Sequence, residues 1–132
     1  GGENLTNFLV PYPKGGYWGK VLLNGPFNFT DLHPLLEFRL HAKWRVESGW
    51  VWFFRTSARD GVYGVGGQLL RNGLGSQARF IGQQGSTEIT WNADRHLRLG
   101  LGYSVFLPGA FLKQTPPGKT VHFLNLGITY RL

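Results

Sequence analysis

The stretch 121–132 constrains the fold more than any other part of the chain, because it alternates without a break to the last residue. His122, Leu124, Leu126, Ile128, Tyr130 and Leu132 fall on one side of an extended backbone, and Phe123, Asn125, Gly127, Thr129 and Arg131 fall on the other. A period of two specifies a strand. The leucine side stays apolar to its end and carries Tyr130 two places before the last residue. Chain ends in water usually fray and are polar, whereas a strand facing lipid has to present a continuous apolar band. From this stretch alone a half-buried strand of a soluble sandwich is an equal alternative, so the remaining segments decide.

Twenty glycines, 15% aromatic residues and no methionine do not suit a helical bundle, which would draw on Ala, Leu, Glu and Lys. Gly1 in place of an initiator Met leads to the expectation of a processed form or a piece of a longer protein. No run of about 18 apolar residues is present, so any membrane role would have to use strands. Without cysteine there is neither a disulfide framework nor a thiolate metal site. The net charge of +7 predicts an anionic partner, whether nucleic acid, anionic lipid or lipopolysaccharide, or an acidic polymer.

Residues 1–34 lack a sustained period, because Pro11, Pro13, Gly15, Gly16, Gly25, Pro26 and Pro34 interrupt every apolar run. They read as an irregular, plug-like segment with a possible short strand over Tyr17 to Leu23. From residue 35 to 132 the pattern is that of strands. Leu36, Phe38, Leu40, Ala42, Trp44 and Val46 alternate with Glu37, Arg39, His41, Lys43 and Arg45. The polar run from Arg45 to Gly49 reads as a hairpin connection, followed by an aromatic strand from Trp50. Residues 60–85 read as a long glycine-rich loop, with a possible helical turn over Gln68 to Arg71. Thr87, Ile89, Trp91 and Ala93 begin the next hairpin, turning tightly at Asp94-Arg95 into Leu97, Leu99, Leu101, Tyr103 and Val105. A second long loop covers 107–120. Short and long connections therefore alternate, which puts the short turns and Leu132 at one end of the sheet. In bacterial outer-membrane barrels that end is periplasmic.

Several of these segments resemble the C-terminal part of the alginate-export family of outer-membrane β-barrels. Phe8-Leu9-Val10-Pro11-Tyr12-Pro13 and Tyr17-Trp18-Gly19 are similar to its aromatic-proline opening, and Trp52-Phe53-Phe54 leading to Asp60 and Tyr63 is similar to its aromatic strand entering an outer loop. The most specific match is Gly102-Tyr103-Ser104-Val105-Phe106-Leu107-Pro108-Gly109-Ala110-Phe111-Leu112-Lys113, with Glu88 one hairpin earlier and Phe123 and Tyr130-Arg131 in the closing strand. Leu132 departs from the terminal Phe usual in the family. Family barrels also have more strands than the five strong ones visible here, and about eight is the least that closes a single-chain barrel. The fold class expected is therefore all-β: an antiparallel transmembrane β-barrel, either as the last strands of a larger barrel or as a share of a barrel built by several chains.

With lipid outside, the polar sides would line a lumen: Glu37, Arg39, His41, Lys43, Arg45, Arg55, Arg59, Glu88, Thr90, Asn92, Arg98 and Arg131. Cations outnumber carboxylates in that set, which favours anions, because a guanidinium fork matches a carboxylate. Trp44, Trp50 and Trp52, gathered beside the expected hairpin, suit a membrane-interface girdle, as do Trp91, Tyr103 and Tyr130. The resemblance implies outward passage of an acidic polysaccharide such as a polyuronate, in an outer membrane, with lipid, lipopolysaccharide and other envelope proteins as neighbours. Two alternatives stand beside it: a structural barrel that holds a larger assembly without transport, and a soluble basic β-domain binding glycan or nucleic acid. The second would put arginines and aromatics on one shared face, and here they alternate to opposite faces. Nothing points to an enzyme or a cofactor. Glu37 and Glu88 lie on different strands with no sign of a glycosidase pair. His33, His41, His96 and His122 show no metal-ligand spacing, and Gly64-Val65-Gly66-Gly67 lacks the strand-to-helix setting of a phosphate loop.

Overall fold

The computed structural model describes Gly25 and residues 27–132. The expected strand at Tyr17 to Leu23 and the aromatic-proline opening lie outside the described residues. The elements run β1 (Phe29–Leu32), β2 (Leu35–His41), β3 (Trp44–Arg55), β4 (Val62–Tyr63), β5 (Leu69–Arg71), β6 (Phe80–Asn92), β7 (Leu97–Pro108), the one-turn helix α1 (Ala110–Gln114) and β8 (Val121–Tyr130). The main sheet is an antiparallel meander in the order β1-β3-β6-β7-β8, with β2 also pairing with β3. β1 takes the Trp52–Arg55 end of β3 and β2 takes the Trp44–Gly49 end. The break between them falls at His33-Pro34, where proline has no N–H to give to a ladder. The architecture is thus all-β and antiparallel, a wall of barrel type rather than a closed barrel. Among the described residues neither edge strand has an outer partner, and no helix is long and apolar enough to cross a membrane.

The first hairpin turns at Ala42-Lys43, not at Arg45 to Gly49 as its polarity suggests. β3 runs straight through that stretch because its polar side chains find partners within the sheet. Arg45 bonds Glu37 and Glu47, and the Ser48 hydroxyl meets that of Thr87 at 3.0 Å. Gly49 marks a close approach, since a Cβ there would sit 3.0 Å from Leu35 Cδ1. The expected loop 60–85 is also shorter: 56–79 connects β3 to β6 and contains the β4–β5 hairpin, so Leu69–Arg71 is a strand and not a helical turn. The 107–120 segment holds α1, and β1 orders part of the stretch expected to be irregular. The turn at Asp94-Arg95 falls where its residues place it. There the Asp94 carboxylate accepts the N–H groups of His96 at 2.7 Å and Leu97 at 2.9 Å.

Alternation gives the sheet two faces, and α1 packs on the inner one. The β7–α1 corner explains the Gly102 to Lys113 motif residue by residue. Ser104 and Phe106 point inward and are buried, and Pro108 ends the strand. The N–H of Gly109 reaches the Ile81 carbonyl at 2.7 Å, an approach that leaves no room for a side chain because a Cβ would come 2.6 Å from Phe80 O. Phe111 then drops into a core with Val51, Phe53, Val62, Ile81 and Phe106.

Arg55, at the end of β3, fastens this core to the connection above it. It is fully buried, its guanidinium donates to the carbonyls of Asp60, Ser76 and Ala78 at 2.6–3.1 Å, and it lies 4.0 Å from the centroid of Phe111. A buried charge is tolerated only when its donors are used, and here three loop carbonyls and an aromatic face use them. Ser76 also bonds Gln114, tying the same loop to α1.

Two outcomes follow from these contacts. Arg55→Met, which keeps bulk but strands three inward carbonyls at about 1–3 kcal/mol each, should loosen 56–79 first, read as faster limited proteolysis there than in the strands. At Asp94 the two backbone N–H bonds, His96 foremost, hold the carboxyl below its ordinary value of 3.8. A depressed carboxyl stabilises the fold above its unfolded pKa and loses that contribution as pH falls through the folded value. Thermal unfolding should therefore become acid-sensitive below about pH 4, and Asp94→Ala should remove this component.

Candidate functional site

On the inner face, the half of the sheet nearest the short turns is polar and open. Its side chains fall in cross-strand rows fixed by register. One row runs Arg39, Arg45, Thr90, Gly100, Gly127 across β2, β3, β6, β7 and β8. The next row toward the core runs Glu37, Glu47, Glu88, Gly102, Asn125, and the row nearest the turns carries Asn92, Arg98 and Thr129. The first and last of these rows, with Glu88, frame a concavity of about 450 Å³ lined by Arg39, Arg45, Arg98, Glu88, Thr90, Asn92 and Thr129, with Gly100 and Gly127 as its floor.

Like charges sit directly opposite one another within a row, which is unfavourable, and bonds between rows offset this. Glu37 accepts from Arg39 at 3.2 Å and from Arg45 at 2.8 Å, and Arg45 also reaches Glu47 at 3.0 Å. Arg98 donates to Asn92 Oδ1 at 2.8 Å. The Arg39 side chain is 81% exposed and that of Arg45 48%, so both can meet a solute.

The sequence-derived lining set is divided by the structure. Arg39, Arg45, Glu88, Asn92 and Arg98 come together in the concavity, His41 reaches its rim at a bulge opposite Trp44, and Glu37 stands one row behind it, paired with Arg39 and Arg45. Arg131 lies at the edge beside the β6–β7 turn. Three cations leave the set. Arg55 is enclosed and cannot touch anything passing. Lys43 belongs to the first turn, where its Nζ bonds the Ala93 carbonyl at 2.8 Å, and Arg59 lies in the 56–79 connection. One carboxylate joins: Glu47, hidden in the sequence because its segment read as a turn. The inner face is therefore close to charge-balanced, with arginines toward the turns and carboxylates behind them. Gly100 and Gly127 were also passed over, since a glycine gives no chemical signal.

The outer face is apolar and exposed. Leu124, Leu126 and Ile128 are 70%, 73% and 68% accessible, which lipid would cover and water would not favour. Its aromatics form two levels instead of one cluster, because the turn lies at Ala42-Lys43. Near the turns Trp44 stacks on Trp91 at 5.6 Å and Tyr130 on His96 at 6.2 Å. Farther up, Trp50 lies 6.4 Å from Trp52 and donates to Gln83, and Tyr103 OH meets His122 Nδ1 at 2.7 Å. Trp50 lies six residue steps along β3 from Trp44, roughly 20 Å of strand, close to the apolar band of about 25 Å in outer-membrane barrels. Among the described residues no group of His, Asp or Glu is placed to hold a metal ion.

A two-faced antiparallel wall, apolar outside and polar within, is the architecture of an outer-membrane β-barrel. The sequence model of the alginate export family matches residues 2–125, and the chain belongs to that family of outer-membrane proteins. No curated protein and no solved structure matches it.

The exposed Glu37 ion pairs should be worth little to the fold. Glu37→Gln is expected to shift unfolding by no more than about 1 kcal/mol, read from the urea midpoint, which leaves it usable as a charge probe.

Proposed function

We propose that the inner face lines the lumen of an outer-membrane channel that passes an acidic polysaccharide of the polyuronate class, or smaller anions, passively outward. The observation that carries this reading is the open concavity in which Arg39, Arg45 and Arg98 meet on the face opposite the lipid-compatible one. Their planar forks can take carboxylates bidentately, and the exposure of Arg39 and Arg45 lets a solute carboxylate reach them and take the place of Glu37 or Glu47. Membership of a family described by alginate export supports the same substrate class. The short turns and Leu132 share one end of the sheet, which supports a periplasmic C-terminus. The cations then stand at the periplasmic entrance, where a polyanion bound outward would first be met.

The ion pairs of Arg45 with Glu37 and Glu47, and the cover of α1 and 56–79 over the other half of the inner face, favour a second reading: a barrel wall stiffened for assembly rather than transport. Ion selectivity of the barrel in planar bilayers separates the two. A unit charge in near contact is worth about 1 kcal/mol in water, roughly a fivefold change in preference. Replacing Arg39, Arg45 and Arg98 together by Gln should shift the reversal potential toward cations by at least that factor, and Glu37→Gln with Glu47→Gln should shift it the other way. A reversal potential that neither set moves removes these residues from any lumen.

A further inference from the structure

Gly100 and Gly127 are direct neighbours on β7 and β8, in the same row as Arg39 and Arg45, and both face the concavity. Glycine inside a strand weakens it by roughly 0.5–1 kcal/mol relative to alanine, so a paired occurrence needs a reason. Backbone conformation does not supply one, because Gly67 is the described glycine with positive φ and these two are not. Packing does not supply one either. A Cβ on Gly100 would have Gly127 O at 3.9 Å as its nearest neighbour, and one on Gly127 would meet nothing within 4 Å among the described residues. The contrast with the next row is direct. At Gly102 the space of the missing side chain is already filled by Asn125, whose Oδ1 would lie 2.2 Å from an added Cβ, and at Gly85 on the outer face Trp50 fills it in the same way. Among the described residues Gly100 and Gly127 leave their space unfilled, and what they leave open is the floor in front of Arg39, Arg45 and Arg98.

We infer that Gly100 and Gly127 are size-determining residues of the channel: together they provide the clearance that fixes how bulky a solute can pass the arginine row. The row is asymmetric, with guanidinium groups on β2 and β3 and bare backbone on β7 and β8. A carboxylated sugar would turn its charged edge to the first pair of strands and lay its ring against the second. This inference rests on the channel reading above, and its test separates the two.

The barrel is reconstituted in planar bilayers, and single-channel conductance is measured with neutral polyethylene glycols of graded size. Gly127→Trp is compared with Ile128→Trp, which adds the same side chain one residue along on the outer face. Folding is checked by heat-modifiable migration. Gly127→Trp should lose conductance and exclude smaller polymers than the natural barrel, and Ile128→Trp should match the natural barrel. Gly100→Leu gives the same reading from the neighbouring strand if the tryptophan variant does not assemble. A natural barrel that conducts, with Gly127→Trp or Gly100→Leu folded and unchanged in conductance and cutoff, overturns the size role and leaves the channel reading standing. A natural barrel that is folded and silent overturns the channel reading and the size role with it.

Discussion

β3 pairs with β6 from Trp44↔Trp91 to Phe53↔Gly82, and because side chains alternate from face to face, a slip of one residue along this ladder would exchange the two surfaces of the sheet. Arg45 and Glu47 would turn to lipid, and Trp50 and Trp52 would turn inward. The register is held on both sides. On the outer face Trp44 stacks on Trp91, the Ser48 and Thr87 hydroxyls meet, and the Trp50 ring occupies the space over Gly85. On the inner face Val51 and Phe53 enter the core with Ile81 and Phe106. Large-to-small matching such as Trp50 with Gly85 fits one register only, which a uniform apolar surface would not do.

The inner face is itself two environments, and arginine serves each differently. At the α1 end Arg55 is sealed in, with its donors spent on the carbonyls of 56–79. At the turn end Arg39, Arg45 and Arg98 are open to solvent and share carboxylate or amide partners. The difference follows from what lies above each strand end. The long connections fold back over the sheet where they leave it, whereas the Ala42-Lys43 and Asp94-Arg95 turns are too short to cover anything. Alternating connection length thus divides the same face into a dry, packed half and a wet, charged half.

Much of this was legible in the sequence wherever period two was the strongest local signal. The alternation over 87–92 and 121–130, the turn at Asp94-Arg95 and the two-faced character of the sheet all follow from it, although β8 stops at Tyr130 where the alternation runs on to Leu132, and β6 begins at Phe80 inside the expected loop. The reading failed where polarity stood in for turn chemistry. Arg45 to Gly49 carries the residues of a loop, but Arg45 and Ser48 find partners on β2 and β6 that become visible only once those strands are in place. Moving the turn to Ala42-Lys43 split the tryptophans into two levels and brought Glu47 onto the inner face. Arg55 shares its strand face with Arg45, and no local pattern distinguishes them. Its burial depends on α1, more than fifty residues later in the chain. The Gly102 to Lys113 string was legible as a motif, but its physical content, a corner that needs Gly109 for backbone contact and Phe111 for the core, belongs to the tertiary structure.

If the inner face lines a channel, as proposed, its near balance of charge changes what selectivity there has to mean. A uniformly basic wall would hold a polyanion tightly along its length, and tight binding opposes movement, since conduction needs sites weak enough to leave. Here the nearest competitor for a solute carboxylate at Arg45 is Glu37 or Glu47, already in hydrogen-bond reach. Binding a solute then exchanges one carboxylate for another at the same guanidinium, so little net free energy is gained at any station and little has to be recovered on release. Arg39, bonded among the described residues to Glu37 and mostly exposed, is the easiest fork to transfer. In the proposed channel, discrimination against neutral or cationic solutes would survive, because they cannot take up the fork that Glu37 would release. On this account the carboxylate row behind the arginines is part of how an anion moves past them, and the wall keeps its own ion pairs whenever no solute is present.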